Sequence, residues 1–138
     1  MKSIEYALYI RFTIIFLLVT AITLAASHFL RAYTGFSRTS ILSFLPLFVA
    51  ALDAGAASFR KMGRRPETRE IWRMAIGFSV IAFLIGIGLG FLFMGAGLIE
   101  AFSNPAILMM MLVMLAVLLA GSFFFFRLGA KIGADAAA

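Results

Sequence analysis

Four long apolar runs leave this chain few ways to fold. They cover residues 12–30, 41–59, 74–94 and 105–126. A bilayer hydrocarbon core of about 30 Å needs roughly 20 residues of helix, so each run is long enough to cross it. Inside lipid the backbone must satisfy its own hydrogen bonds, and an isolated segment does so only as a helix. Hydrophobic residues make up 64% of the 138 and charged residues 13%, against about a quarter charged in a soluble domain. In water such a chain would expose aggregation-prone patches. The expected fold is therefore an all-α membrane protein, one domain over 1–138 with four transmembrane helices in two hairpins. Lys2 and Arg11 ahead of the first run resemble the start of a signal peptide. The run is instead expected to be a retained helix reaching back to Ile4.

The basic residues set the expected orientation. Lys2 and Arg11 precede the first run, and Arg60, Lys61, Arg64, Arg65, Arg69 and Arg73 fill the central connection 60–73. Arg127 and Lys131 follow the last run. With four spans these ten share one side, leaving only Arg31 and Arg38 on the other. Lysine and arginine accumulate in cytoplasmic loops, so both termini and the central loop are expected in the cytoplasm. The net charge of +6 thus belongs to topology and gives no reason to expect nucleic acid.

Local signals mark the helix ends. Gly63 can close the second helix, Pro66 suits the first turn of the third, and Glu67 and Glu70 lie near its positive dipole end. Glu70 and Arg73 stand at i,i+3 spacing, where they can pair, and Trp72 falls at the headgroup boundary. Asn104 followed by Pro105 is an N-cap with a first-turn proline. Pro46 is expected to kink the second helix, and the terminal "GADAAA" to fray.

The segment "DAGAASFRKMGRRPETREIWR", at 53–73, resembles a family of small four-helix bacterial inner-membrane proteins of unknown function. Their central cytoplasmic loop carries Gly-Arg-x-Pro, an acid, and a basic residue at the next helix start. Those positions correspond to Gly63, Arg64, Pro66, Glu70 and Arg73, and the small-residue run 50–58 fits as well. The resemblance implies the fold and a multi-pass location in the bacterial inner membrane. It carries no activity.

Asp53 is the acid inside the apolar runs, and an intramembrane acid marks a functional site by default. One reading is a proton or cation site, or a contact for a partner. The other is a structural ion pair. Arg60 lies seven residues on, on the same face, and can lean back toward Asp53. Arg11 and Arg73 enter from the same side. The expected pair unites Asp53 with Arg60 and Arg73. Ala50, Ala54 and Ser58 form one small-residue face, and Ala82, Gly86 and Gly90 another. Such faces let helices approach closely, and the second and third helices are expected to meet through them. His28 could ligate a haem or pigment but also suits a polar interfacial anchor. Met109, Met110, Met111 and Met114 suit adaptable packing. The block 123–126, four phenylalanines, must point partly outward. The basic loop of Arg60, Lys61, Arg64, Arg65 and Arg69 anchors topology and can also attract anionic headgroups or an acidic partner.

The chain has no cysteine and one histidine. No nucleophile–base pair, metal cluster or phosphate loop is visible. The glycines of "GIGLG", at 86–90, lie in an apolar helix rather than after a strand. No cofactor and no enzymatic activity are expected. The leading reading is an accessory, assembly or regulatory subunit of a larger bacterial inner-membrane complex, touching lipid and other membrane subunits. A small oligomeric ion or solute transporter using Asp53, and a membrane immunity or exclusion protein, are the alternatives.

Overall fold

The structure is a computed structural model and describes residues 2–34 and 40–138, without the side chains of 40–43. Arg38, one of the two basic residues assigned to the far side, lies outside the described residues. Five helices follow one another: α1 (Lys2–Thr34), α2 (Ser40–Met62), α3 (Thr68–Met94), α4 (Gly97–Phe102) and α5 (Pro105–Ala137). No strand occurs among the described residues. α1, α3 and α5 are each long and apolar enough to cross a membrane. The 23 residues of α2 would extend about 34 Å, but its described part, holding Asp53, Arg60 and Lys61, does not reach that apolarity.

The helix ends follow the local chemistry. Gly63 takes φ +66° and its N–H donates to the Phe59 carbonyl at 2.9 Å, closing α2. Glycine occupies this left-handed region without the steric cost that other residues bear. Asn104 caps α5, its side-chain oxygen accepting from the Ala106 N–H at 3.0 Å, with Pro105 in the first turn. Pro66 lies just ahead of the α3 N-cap, Glu67, rather than within the first turn. The third connection holds the short helix α4, which the sequence did not signal. α5 runs on past the phenylalanine block and through most of the terminal "GADAAA". It continues to Ala137 and buries Gly129, Ala130 and Gly133.

α2 packs mainly on α5 and α1, α3 packs mainly on α5, and α2 and α3 barely touch. The expected meeting of α2 and α3 through their small faces is therefore corrected. Ala50, Ala54 and Ser58 are fully buried, but in an α2 that faces α1 and α5. Ala82 is buried in the core, while the Gly86 Cα has open space beside it and Gly90 lies under Leu98 of α4. The glycines that bring α2 into close contact are its own Gly55 together with Gly121, Gly129 and Gly133 of α5. A Cβ on Gly129 would lie 2.0 Å from the Leu52 carbonyl oxygen, and one on Gly55 2.2 Å from that of Phe126. Leu52 lies opposite Gly129 and Ala56 opposite Gly133, so the two helices run parallel. Lipid gives no hydrophobic drive between helices, so close backbone packing and its dispersion energy hold them together.

On the other side of the bundle the joint is aromatic. Phe12 of α1 stacks on Phe78 of α3 with ring centroids 4.2 Å apart, and Phe78 meets Phe126 of α5 at 5.6 Å. All three rings are fully buried. The Tyr9 ring covers Gly77, where any side chain would collide with it.

Candidate functional site

Two places in the bundle combine unusual chemistry with defined geometry. The first is the end where α1 and α3 begin and α2 and α5 finish. Four arginine–carboxylate pairs gather there. Arg11 grips Asp53 with two bonds, Nε to Oδ2 at 2.5 Å and Nη2 to Oδ1 at 3.0 Å. Arg64 grips Glu70 in the same way, at 2.8 and 3.0 Å. Arg73 pairs with Glu5, and Arg65 meets Asp135 of α5 at 3.4 Å.

These pairs correct two expectations. Asp53 is held by Arg11 across the α1–α2 interface, not by Arg60 or Arg73. Arg60 is one of the exposed residues in the last turn of α2. It would have to reach back about 10 Å along its own helix, whereas the Arg11 guanidinium already lies beside the carboxylate. Nor does Arg73 pair with Glu70, because Glu5 of α1 engages it and Arg64 takes Glu70. The Asp53 pair is also less secluded than its place in an apolar run implies, since the side chains keep 28% and 42% of their exposure.

The loop itself is organised by the residues that carry the resemblance. Gly63 turns the chain so that Arg64 faces the start of α3. Glu70 then accepts both Arg64 bonds and the Glu67 N–H at 2.8 Å, and Pro66 is buried beside them. Glu70 stands ahead of the apolar run that begins at Met74, and the bond from Arg64 holds its carboxyl below the usual carboxylate range. Lys2, Arg60, Lys61, Arg69, Arg127 and Lys131 are exposed and have no carboxylate partner among the described residues.

The second place is at the opposite end. There residues of α1, α2, α3, α4 and α5 line a half-open cavity of about 590 Å³. Thr20, Thr23 and Ser27 of α1 give its wall three hydroxyls, while Phe83, Met111 and Leu118 typify the rest. Among the described residues no charged side chain lines it. The Thr20 hydroxyl donates to the Phe16 carbonyl at 2.6 Å. Met110, Met111 and Met114 border this space, Met110 and Met114 from its exposed margin, and Met109 does not border it. His28 is exposed on α1, and among the described residues no three His, Cys, Asp or Glu side chains gather as a metal site would require. The phenylalanine block divides as four consecutive helical positions must. Phe126 is buried, Phe125 stacks on Phe48 at 4.3 Å, Phe123 meets Trp72 at 4.5 Å, and Phe124 faces outward.

Two signals for these sites were present but easy to pass over. Gly129 and Gly133 form a Gly-x-x-x-Gly pair beyond the last apolar run. Thr20, Thr23 and Ser27 recur at i, i+3 and i+7, a helical stripe of hydroxyls. Comparison with protein-family models, with characterised proteins and with solved structures finds no match to this chain.

Proposed function

We propose that this chain is a non-catalytic accessory, assembly or regulatory subunit of a larger membrane complex, acting by association rather than turnover. The observation that carries this reading is the two-bond grip of Arg11 on Asp53. A transport acid must gain and lose a proton or ion in each cycle. A carboxylate committed to two charge-assisted bonds from one guanidinium would have to break both in every cycle, which makes it a poor carrier. The exposed cations Arg60, Lys61 and Arg69 leave a surface for an acidic partner or for anionic headgroups, the latter worth about 1 kcal/mol per basic residue near the membrane.

The same reading gives α2 the role of a fourth span and puts both termini in the cytoplasm. The resemblance of the 53–73 segment makes the bacterial inner membrane the compartment. The chain lacks cysteine, so single reporters are clean. Lys61→Cys should react with an impermeant thiol reagent only after permeabilisation, and Glu100→Cys in intact cells. The reverse pattern would overturn the topology.

For function, the decisive comparison is between flux and assembly. Wild type in proteoliposomes should carry no proton-dependent flux. Charge reversal at Arg60, Lys61 and Arg69 should release stoichiometric partners from the complex in mild detergent. Proton-dependent flux that vanishes in Asp53→Asn would replace this reading with a transporter.

A further inference from the structure

We propose that the apolar cavity between α1, α2, α3 and α5 is a binding site for one acyl chain of a membrane phospholipid. The chain would come from the leaflet opposite the charged end. The inference rests on depth, chemistry and size.

Depth comes first. The α1 wall runs from Phe16 to Ser27, about 16 Å of helix, or half of a hydrocarbon core about 30 Å thick. The cavity therefore extends through one leaflet. It lies between α1, α3 and α5, the three helices apolar enough to cross a membrane, so hydrocarbon is the medium beside it.

The chemistry favours hydrocarbon over a headgroup or an ion. Among the described residues no charged side chain lines the wall, and Thr20 already spends its hydroxyl proton on the Phe16 carbonyl. Beyond the three hydroxyls the described wall is hydrocarbon and offers water few partners. Met110, Met111 and Met114 offer a flexible surface that adapts to a mobile chain.

Size separates the two apolar occupants. The volume of about 590 Å³ falls within the roughly 300–1,000 Å³ of small-ligand pockets. A partner's spanning helix runs about 30 Å, roughly twice the depth of the α1 wall, whereas one acyl chain reaches through a single leaflet.

Gly86 and Gly88 provide a matched test. Both have open space where a Cβ would stand, but Gly86 lines the cavity and Gly88 does not. The protein would be reconstituted in phosphatidylethanolamine–phosphatidylglycerol vesicles containing a phosphatidylcholine with a diazirine midway along one acyl chain. After illumination, label should concentrate on the cavity-facing peptides of α1, α3 and α5. Gly86→Leu should reduce that labelling several-fold, and Gly88→Leu should leave it unchanged. Met111→Phe fills the same space from α5 and should act like Gly86→Leu. If Gly86→Leu loses its helical circular dichroism, Met111→Phe decides. Label spread evenly over outward residues such as Leu84 and Met109, or cavity labelling unaffected by the filling variants, would sink the proposal. So would a stoichiometric polypeptide cross-linked at these residues in place of lipid.

Discussion

Replacing Gly129 by alanine tests whether backbone contact between α2 and α5 holds the bundle. The new Cβ would lie 2.0 Å from the Leu52 carbonyl oxygen, about 1.3 Å short of the roughly 3.3 Å at which carbon meets a carbonyl oxygen. The obstacle is backbone, so no side-chain rotation relieves it and the helices must separate. A gap of up to 1 Å already forfeits a quarter to a half of the dispersion well at each contact, and overpacking typically costs about 1–3 kcal/mol. Gly129→Ala should fall in the upper part of that range, because parallel packing on α5 is α2's main support. Gly55→Ala, at 2.2 Å from the Phe126 oxygen, should be nearly as costly. Gly133→Ala, at 2.9 Å from the Ala56 oxygen, should cost less. Gly121→Ala should cost least, because it meets the Phe48 ring edge at 2.9 Å and a side chain can yield. Gly88→Ala, with open space around it, is the control. The assay is reversible unfolding in mixed micelles with rising sodium dodecyl sulfate, followed by circular dichroism. A flat series, with Gly129→Ala no worse than Gly88→Ala, would refute close backbone packing as the source of stability.

Three further outcomes follow from the charged end. A double-mutant cycle on Arg11→Gln and Asp53→Asn should give a coupling of about 1 kcal/mol or less, because both side chains retain solvent contact and screening limits exposed pairs; a coupling of zero would remove the pair from the account. The Glu70 carboxyl is depressed mainly by its bond from Arg64, so its stabilisation is present above the ordinary carboxyl value of 4.5 and is lost as pH falls through the lower folded value. Amide protection factors in the 63–70 loop, corrected for the intrinsic pH dependence of exchange, should therefore fall on acidification below that ordinary value, and Glu70→Gln should flatten that fall. Gly63→Ala should destabilise the protein by about 1–2 kcal/mol, the steric cost of the left-handed region, although nothing surrounds the site; an unchanged unfolding midpoint would contradict the φ of +66°.

Element types were readable because length and apolarity suffice for them, and boundaries because Gly63, Asn104 and Pro105 have few other uses. Neighbours were not readable. In a soluble bundle the apolar face of each helix marks the core, but in lipid Phe124 and Phe126 are equally at home outside and inside. Small-residue spacing offered α3 as a partner for α2 through Gly86 and Gly90. The choice depended on Gly129 and Gly133, which lie beyond the apolar run. Ion pairing was half legible. Arg11 stood among the possible partners of Asp53, but preferring it over Arg60 required knowing how α1 crosses α2. Glu70 could be paired with Arg73 by helical spacing. Arg64 wins only because Gly63 reverses the chain, and sequence spacing carries no such geometry. The cavity was illegible, since it arises from the placement of whole helices and not from any residue type.

The division of labour among the cations is itself informative. Glu5, Asp53, Glu70 and Asp135 are each engaged by an arginine and none by a lysine, while Lys2, Lys61 and Lys131, together with Arg60, Arg69 and Arg127, have no such partner among the described residues. A planar guanidinium can grip a carboxylate through two parallel bonds and is more weakly hydrated than an ammonium, so it holds a fixed pair near an apolar boundary at lower cost. An ammonium is strongly hydrated and sits on a flexible stem, which suits it to a shifting headgroup layer. The arginine pairs therefore neutralise four carboxylates at this end, and the charge left exposed there is overwhelmingly positive. Replacing Arg11 and Arg64 together by lysine tests the distinction, because formal charge and topology signal are unchanged while both forks are lost. Cysteine accessibility at position 61 should stay as in wild type, and resistance to unfolding should fall. If stability is kept by lysine at both positions, net charge alone organises this end and the forked geometry is incidental.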